Sequence, residues 1–286
     1  MTHHTGPGIL VDAAWAQAHL TDPAVRFVEV DVATTAYERG HIPGAVGWNW
    51  TSQLSDNLRR DIAGREDFSR LLSQSGIGPD TRIVLYGDNS NWFAAWAYWQ
   101  LKLYRWEKVS LLDGGRKYWL DHGLLSTEVP RYDPTGISLP APTFELRAFQ
   151  PQILPRLGEP GFALVDVRSP AEFDGEAIAP PGMTETAQRA GRIPGAASIS
   201  WAQAVREDGT FKSADELRAL YEGKGITPDK DVVVYCRIGE RSSHTWFVLH
   251  EILGYPRVRN YDGSWTEWGS MVGLPIERPV PAGVAG

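Results

Sequence analysis

The chain has 286 residues, 42% of them apolar and 22% charged, enough for two ordinary domains that each bury a core. Its net charge of −7 argues against a nucleic-acid partner, whose binding face would be basic. A single cysteine excludes an intramolecular disulfide and any multi-cysteine zinc or iron–sulfur site.

Taken in chain order, Met1 to Val11 lacks the basic-then-apolar pattern of a signal peptide, and no later run approaches the length of a membrane span. A cytoplasmic protein with no membrane partner is expected. Residues 26–31 read as a strand ending in an acid, followed by a turn marked by Pro43-Gly44. Residues 67–76 read as a helix stopped by glycine, and 81–86 as a second strand leading into the polar loop 87–91. An aromatic-rich helix over 92–103 and a third strand and turn over 109–115 complete the first half.

The second half repeats that order. Residues 162–168 match the first strand, with Asp166 as the acid. Gly191-Arg192-Ile193-Pro194-Gly195-Ala196 repeats Gly40-His41-Ile42-Pro43-Gly44-Ala45. Residues 215–225 match the first helix, 232–235 match 83–86, and Tyr261-Asp262-Gly263-Ser264-Trp265 matches Leu112-Asp113-Gly114-Gly115-Arg116. Asp262 follows Tyr235 at the same interval as Asp113 follows Tyr86. Matched landmarks in matched order imply a duplicated α/β domain, each copy a mostly parallel sheet flanked by helices. The expected organisation is one domain over 8–128, an exposed proline-rich linker over 129–145, and a second domain over 146–280. Residues 175–189 have almost no counterpart in the first half and read as a surface excursion.

The chemistry concentrates in Tyr235-Cys236-Arg237-Ile238-Gly239-Glu240-Arg241. A buried strand ends at the only cysteine, a glycine-containing loop follows, and a helix is expected from Ser242 to Leu253. Backbone N–H groups and two arginines there would attract an anion and favour thiolate over thiol. Aligning the repeats on their tyrosines sets Gly87 opposite Cys236, Asp88 opposite Arg237, Asn91 opposite Glu240 and Trp92 opposite Arg241. The first copy therefore lacks the thiol and both arginines, and Asp88 would repel an anion. It is expected to be catalytically silent, contributing packing or a cleft wall. Gly239 is expected at positive φ, Asp166 and Arg168 as a structural ion pair, and His244 as a packed, hydrogen-bonded residue. Asp262 is expected to anchor a turn, and Trp265 to stand at the pocket mouth while most of the tryptophans fill the cores.

These motifs closely resemble the rhodanese family, specifically tandem-domain thiosulfate sulfurtransferases of the bacterial type. The resemblance runs from about Leu10 to about Ile276. It rests on the 235–246 loop and helix, on Asn260-Tyr261-Asp262-Gly263-Ser264-Trp265-Thr266-Glu267-Trp268, and on the paired Ile-Pro-Gly-Ala turns. It implies a persulfide on Cys236, no metal and no organic cofactor. Where many animal-type members carry an anion-binding arginine beyond the Asp-x-Arg of the second domain, this chain has Glu172, which would shift anion contacts onto Arg237 and Arg241.

The expected reaction moves a sulfane sulfur from thiosulfate to cyanide or a thiol by ping-pong exchange at Cys236. Arg237, Ile238, Gly239, Glu240 and Arg241 would form the substrate-binding loop through backbone N–H groups and guanidinium forks, with Asp166, Arg168 and Trp265 as support. With an ionised cysteine no general base is required. Three alternatives stand beside this. A 3-mercaptopyruvate sulfurtransferase shares the fold, but typically has a small residue where this chain has Arg237. A sulfur carrier or redox sensor would need the same thiol. A phosphatase would need five residues between cysteine and arginine, against the four between Cys236 and Arg241.

Overall fold

The computed structural model describes residues 8–182 and 187–279. The chain divides into two compact units, one reaching to Phe144 and including Val205–Phe211, the other comprising Glu145–Ala204 and the chain from Lys212 onward. Among the described residues no helix is long and apolar enough to cross a membrane. Nor does any group of three or more His, Cys, Asp or Glu among them form a potential metal site.

The first unit holds a parallel sheet in the spatial order Leu10–Val11, Val109–Leu112, Arg82–Tyr86, Val25–Asp31, Val46–Asn49. The second holds a parallel sheet in the order Val258–Asn260, Asp231–Tyr235, Phe162–Asp166, Ala197–Ser198. At the edge of the second sheet, the Ala148 N–H donates to Asn260 O and the Asn260 N–H to Leu146 O. Leu10–Val11 occupies the matching place in the first. Central strands covered on both faces need continuous apolar runs, and Val25–Asp31 is buried at all seven positions.

Helices Arg65–Gln74 and Ala214–Glu222 sit where the glycine stops and periodicity predict them. The second is fixed at its start by a capping box, in which Ser213 Oγ accepts from the Glu216 N–H and Glu216 bonds back to Ser213. The helix Asp88–Leu103 has three left-handed residues at its start, Asn89, Ser90 and Asn91, so regular helix begins at Trp92. Buried positions lie all round it, from Phe93 to Leu103. The helix expected over 242–253 begins at Glu240 and is regular to Trp246. It then widens over Phe247–Ile252, with the Leu253 N–H reaching back five residues to Val248 O.

Strand register corrects one equivalence between the copies. Tyr235 pairs across the sheet with Asp166, and Tyr86 with Glu29, so the counterpart of Asp166 is Glu29. Arg168 then falls at the position of Asp31. Both tyrosines are fully buried and do the same work: the Tyr86 hydroxyl accepts from the Ile42 N–H at 3.0 Å and the Tyr235 hydroxyl from the Ile193 N–H at 3.1 Å. Each thereby pins its Ile-Pro-Gly-Ala turn to the sheet.

Residues 129–145 contain no regular element. The Tyr132 hydroxyl donates to Gly44 O (2.7 Å), the Thr135 hydroxyl to Ile77 O (2.7 Å) and the Leu139 N–H to Ser69 Oγ (3.0 Å). The segment up to Phe144 therefore runs as a strap bonded to the first unit. In the excursion over 175–189, residues 183–186 lie outside the described part. Its far end is no surface feature: Ala187 joins the second core, and the Arg189 guanidinium donates to the carbonyls of Trp268, Gly269, Met271 and Leu274. One arginine with five donors can tie down a whole terminal loop in this way.

Candidate active site

Cys236 lies at the carboxyl end of Asp231–Tyr235, the edge of a parallel sheet where functional crevices form. Its side chain is fully buried. The loop turns at Gly239, whose φ of 103° lies in the left-handed region and suits glycine as expected. That turn aims the Gly239 N–H at the sulfur, 3.1 Å from Sγ. The Ser242 hydroxyl lies 3.6 Å from the same sulfur.

The turn after Val258–Asn260 supports the loop from behind. The Cys236 N–H donates to Ser264 Oγ at 3.1 Å, and the Trp265 N–H donates to Cys236 O at 3.1 Å. The Arg237 carbonyl accepts from the Thr266 N–H at 3.0 Å and from its hydroxyl at 3.1 Å. Ser264 holds φ at 51°, which a non-glycine residue adopts only when its surroundings require it. Asn260 orients the start of the helix, accepting from the Ser242 hydroxyl at 2.6 Å and donating to Ser243 Oγ at 2.8 Å.

Three expectations are revised. Arg241 is engaged by carboxylates: its two terminal nitrogens donate to the two oxygens of Glu172, at 2.9 and 3.0 Å, and its Nε lies 3.5 Å from Glu240 Oε1. Glu172 is thus the partner of Arg241. Burial alone would raise its carboxyl, but the Arg241 bonds and the Ser169 cap outweigh burial and hold it below its ordinary value. Trp265, expected at a pocket mouth, is wholly buried, donates to Arg189 O at 2.9 Å and lies 4.6 Å from the Arg168 guanidinium carbon. Its place against a buried arginine leaves no face for solvent.

The third revision concerns the thiol itself. Glu240 does more than lend a backbone N–H, because its Oε2 accepts from Cys236 Sγ at 3.2 Å. Burial first, and the Glu240 charge second, push the thiol above its ordinary value, with Arg241 and Ser242 pulling the other way. The field of the loop alone had suggested a ready thiolate. Burial of the sulfur, with the Glu240 carboxylate adding to it, reverses the balance.

Asp166 and Arg168 form the expected pair, fully buried, with three bonds of 2.6 to 3.1 Å between side chains and a further one from Arg168 to Gly191 O at 2.7 Å. His244 is buried against Trp201, ring centroids 5.6 Å apart, and burial drops its pKa to about 3, which keeps it neutral. Asp262 anchors its turn through a two-pronged bond to Arg147, at 2.8 and 2.7 Å. Arg237 and Ile238 are both buried in the loop. Ser242, Asn260 and Ser264 escape the sequence reading. The signal for Ser264 was there, in the only place where the matched Asp-Gly turns differ by a serine for a glycine.

A parallel α/β unit present twice, with one copy carrying a cysteine cradled at its strand end, defines a tandem rhodanese-like protein. The Rhodanese-like domain model matches residues 12–122 and 150–271, and the chain belongs to the rhodanese family of sulfurtransferases. A Haloferax volcanii protein provisionally named a thiosulfate sulfurtransferase is 55% identical over 276 residues, 94% of this chain and 96% of that one. The sulfur carrier protein TtuD of Thermus thermophilus is 52% identical over 277 residues, 95% of this chain and 97% of that one. Among solved structures, the anaerobic ergothioneine biosynthesis enzyme of Chlorobium limicola, in complex with trimethyl histidine, is 27% identical. It superposes with a TM-score of 0.83 over 96% of this chain and 71% of that one. An EanB variant with a cysteine persulfide, in a tetrahedral intermediate state with ergothioneine, is 26% identical with a TM-score of 0.83, over the same shares of the two chains.

Proposed function

We propose that this protein is a thiosulfate sulfurtransferase that carries the transferred sulfur as a persulfide on Cys236. The observation that supports this most is the only cysteine at a parallel strand end, with the Gly239 N–H 3.1 Å from its sulfur. The Cys236 sulfur attacks the outer sulfur of thiosulfate, the S–S bond of the donor breaks, and sulfite leaves with the electron pair. A second substrate, cyanide or a thiol, then removes the sulfur in a separate step. Backbone N–H groups of 237–241 hold the negative charge on the bound sulfur. Arg237 is the residue whose planar fork suits the sulfonate oxygens. Arg241 acts through position, since Glu172 engages it and so fixes the start of the helix. The first copy, with Gly87 in place of the cysteine, serves as scaffold.

Steady-state kinetics with thiosulfate and mercaptopyruvate as alternative donors test the reading. Thiosulfate should give the larger kcat/KM, and Cys236→Ser should abolish turnover with either. A larger value for mercaptopyruvate would overturn the donor assignment. Mass spectrometry after thiosulfate treatment should find one added sulfur, on Cys236.

The similarity to a sulfur carrier protein supports a second reading, in which the persulfide is handed to a protein. A carrier would load one sulfur per chain yet turn over slowly with cyanide. Rapid multiple turnover with cyanide favours the enzyme.

A further inference from the structure

Glu240 is buried, and nothing in sulfur transfer at a ready thiolate requires a carboxylate against the nucleophile. Yet its Oε2 lies 3.2 Å from Cys236 Sγ, and its Oε1 lies 3.5 Å from Arg241 Nε. We propose that Cys236 and Glu240 share one proton, and that Glu240 is the catalytic base that takes it when the sulfur attacks. This rests on the persulfide reading above.

The neighbouring charges are mostly committed elsewhere. On the same helix, Arg241 is bound to Glu172, which comes from Pro170–Phe173. Beyond the adjacent strand, Arg168 is bound to Asp166. From the turn after Val258–Asn260, Asp262 is bound to Arg147, while Ser264, which accepts from the Cys236 N–H, and Asn260, which accepts from the Ser242 hydroxyl, are uncharged. His244, on the helix, is held neutral by burial, and Arg237 lies in the loop beside the cysteine. Two negative charges 3.2 Å apart in a buried site repel strongly, so thiolate and carboxylate together are disfavoured. The pair keeps one proton, and the question is only which atom holds it. In the resting state that atom is Sγ, donating to Oε2.

The balance over a cycle follows. The proton passes from Sγ to Glu240 Oε2 as Sγ bonds the outer sulfur of thiosulfate, and sulfite departs with the electrons of the broken S–S bond. The persulfide anion is formed beside a neutral carboxylic acid that can donate a hydrogen bond to it. When cyanide removes the outer sulfur as thiocyanate, the Cys236 thiolate is regenerated and takes the proton back from Glu240. The site needs no proton from solvent in either half, and an incoming anion meets no fixed carboxylate once the proton has moved.

The test compares wild type with Glu240→Gln and Glu240→Asp, in single-turnover sulfur loading from thiosulfate between pH 5 and 10. Wild-type loading should vary little across neutral pH. Glu240→Gln should load about 10² times more slowly at pH 7, the low end for loss of a general base, with the gap closing as pH rises and the thiol ionises unaided. Glu240→Asp should keep the flat profile at reduced rate, which a purely structural role for the side chain would not produce. Superimposed profiles for wild type and Glu240→Gln, or faster loading of Glu240→Gln at neutral pH, overturn the proposal. Alkylation of Cys236 by iodoacetamide over the same range needs no sulfur donor and reports on the only thiol in the chain. Two pH steps in wild type reduced to one in Glu240→Gln support the shared proton even if thiosulfate loads neither protein, an outcome that would remove the donor assignment alone. One step in both overturns it.

Discussion

The two copies solve one structural problem with differently placed residues. In each, a guanidinium must pair with the buried carboxylate opposite the tyrosine and hold the carbonyl that opens the Ile-Pro-Gly-Ala turn. In the cysteine-bearing copy Arg168, from the strand end, bonds Asp166 and Gly191 O. In the other copy Arg116, from the position matching Trp265, bonds Glu29 at 2.9 and 2.8 Å and Gly40 O at 2.6 Å. The backbone frame is unchanged: the Arg116 N–H donates to Gly87 O at 3.0 Å as the Trp265 N–H does to Cys236 O. Gly115 and Ser264 share the left-handed conformation, at φ 57° and 51°. What differs is the filling of the loop. Asn91 Oδ1 accepts from the Gly87 N–H at 3.0 Å, and its amide donates to Leu112 O at 2.8 Å. The amide of the first copy takes the loop N–H that the Ser264 hydroxyl takes in the second.

The sharpest break of this comparison is to remove the thiol that the second loop has and the first lacks. Cys236→Ser should lower turnover with thiosulfate by at least about 10⁴-fold, as loss of a nucleophile does in other covalent enzymes, and steady-state assay with intact-mass analysis reads it. Next come the two buried pairs. Glu29→Ala and Asp166→Ala each leave a buried guanidinium without its carboxylate, and each should cost about 3–5 kcal/mol in urea unfolding. Similar costs in the two copies would show that the pairs serve the frame; a large excess at Asp166 would tie that pair to the site.

Smaller effects test the first copy. An added Cβ at Gly87 would sit 2.4 Å from Val30 O, closer than any real contact. Gly87→Cys in a Cys236→Ser background should therefore cost about 2 kcal/mol and load no sulfur, measured by denaturation and mass spectrometry. Sulfur on the first copy would break the idea that a cradle, as well as a thiol, is missing there.

Asp31, which stands where the second copy has Arg168, is the mildest test. Burial first, with the charges of Asp88 and Glu29 adding, pushes its pKa to about 8. The folded state then holds a proton that the unfolded chain releases near pH 4, so stability falls as pH rises from about 4 to about 8 and levels off above. Asp31→Asn removes that fall. It should gain about 1 kcal/mol or more at pH 8, with the gain shrinking toward pH 4, as followed by thermal unfolding across that range.

The duplication, the parallel sheets, the strand-end cysteine and the left-handed Gly239 were legible because each leaves a local mark: a repeated string, a β-branched run, a lone residue type, a glycine in a tight loop. The partners of the charged residues were not. Arg241 carries no local sign that its fork closes on Glu172, 69 positions away in sequence. The approach of Glu240 to Sγ depends on how the loop coils, and Asp31 and Glu29 are both acids two residues apart, so only strand register decides which one answers to Asp166. Pattern gives the elements, while the pairing of buried charges is settled by packing across them.

The relocated arginine has a consequence for recombination between the copies. Grafting residues 162–168 onto the first unit would bring Arg168 into a slot already filled by Arg116, setting two guanidiniums against one carboxylate. Grafting residues 25–31 onto the second would leave Glu29 facing Trp265, with no cation to answer it. Neither strand is a free part. The smallest exchangeable block must carry the strand and the distant turn together, so the two halves, though copies, have become modules that can be swapped only whole.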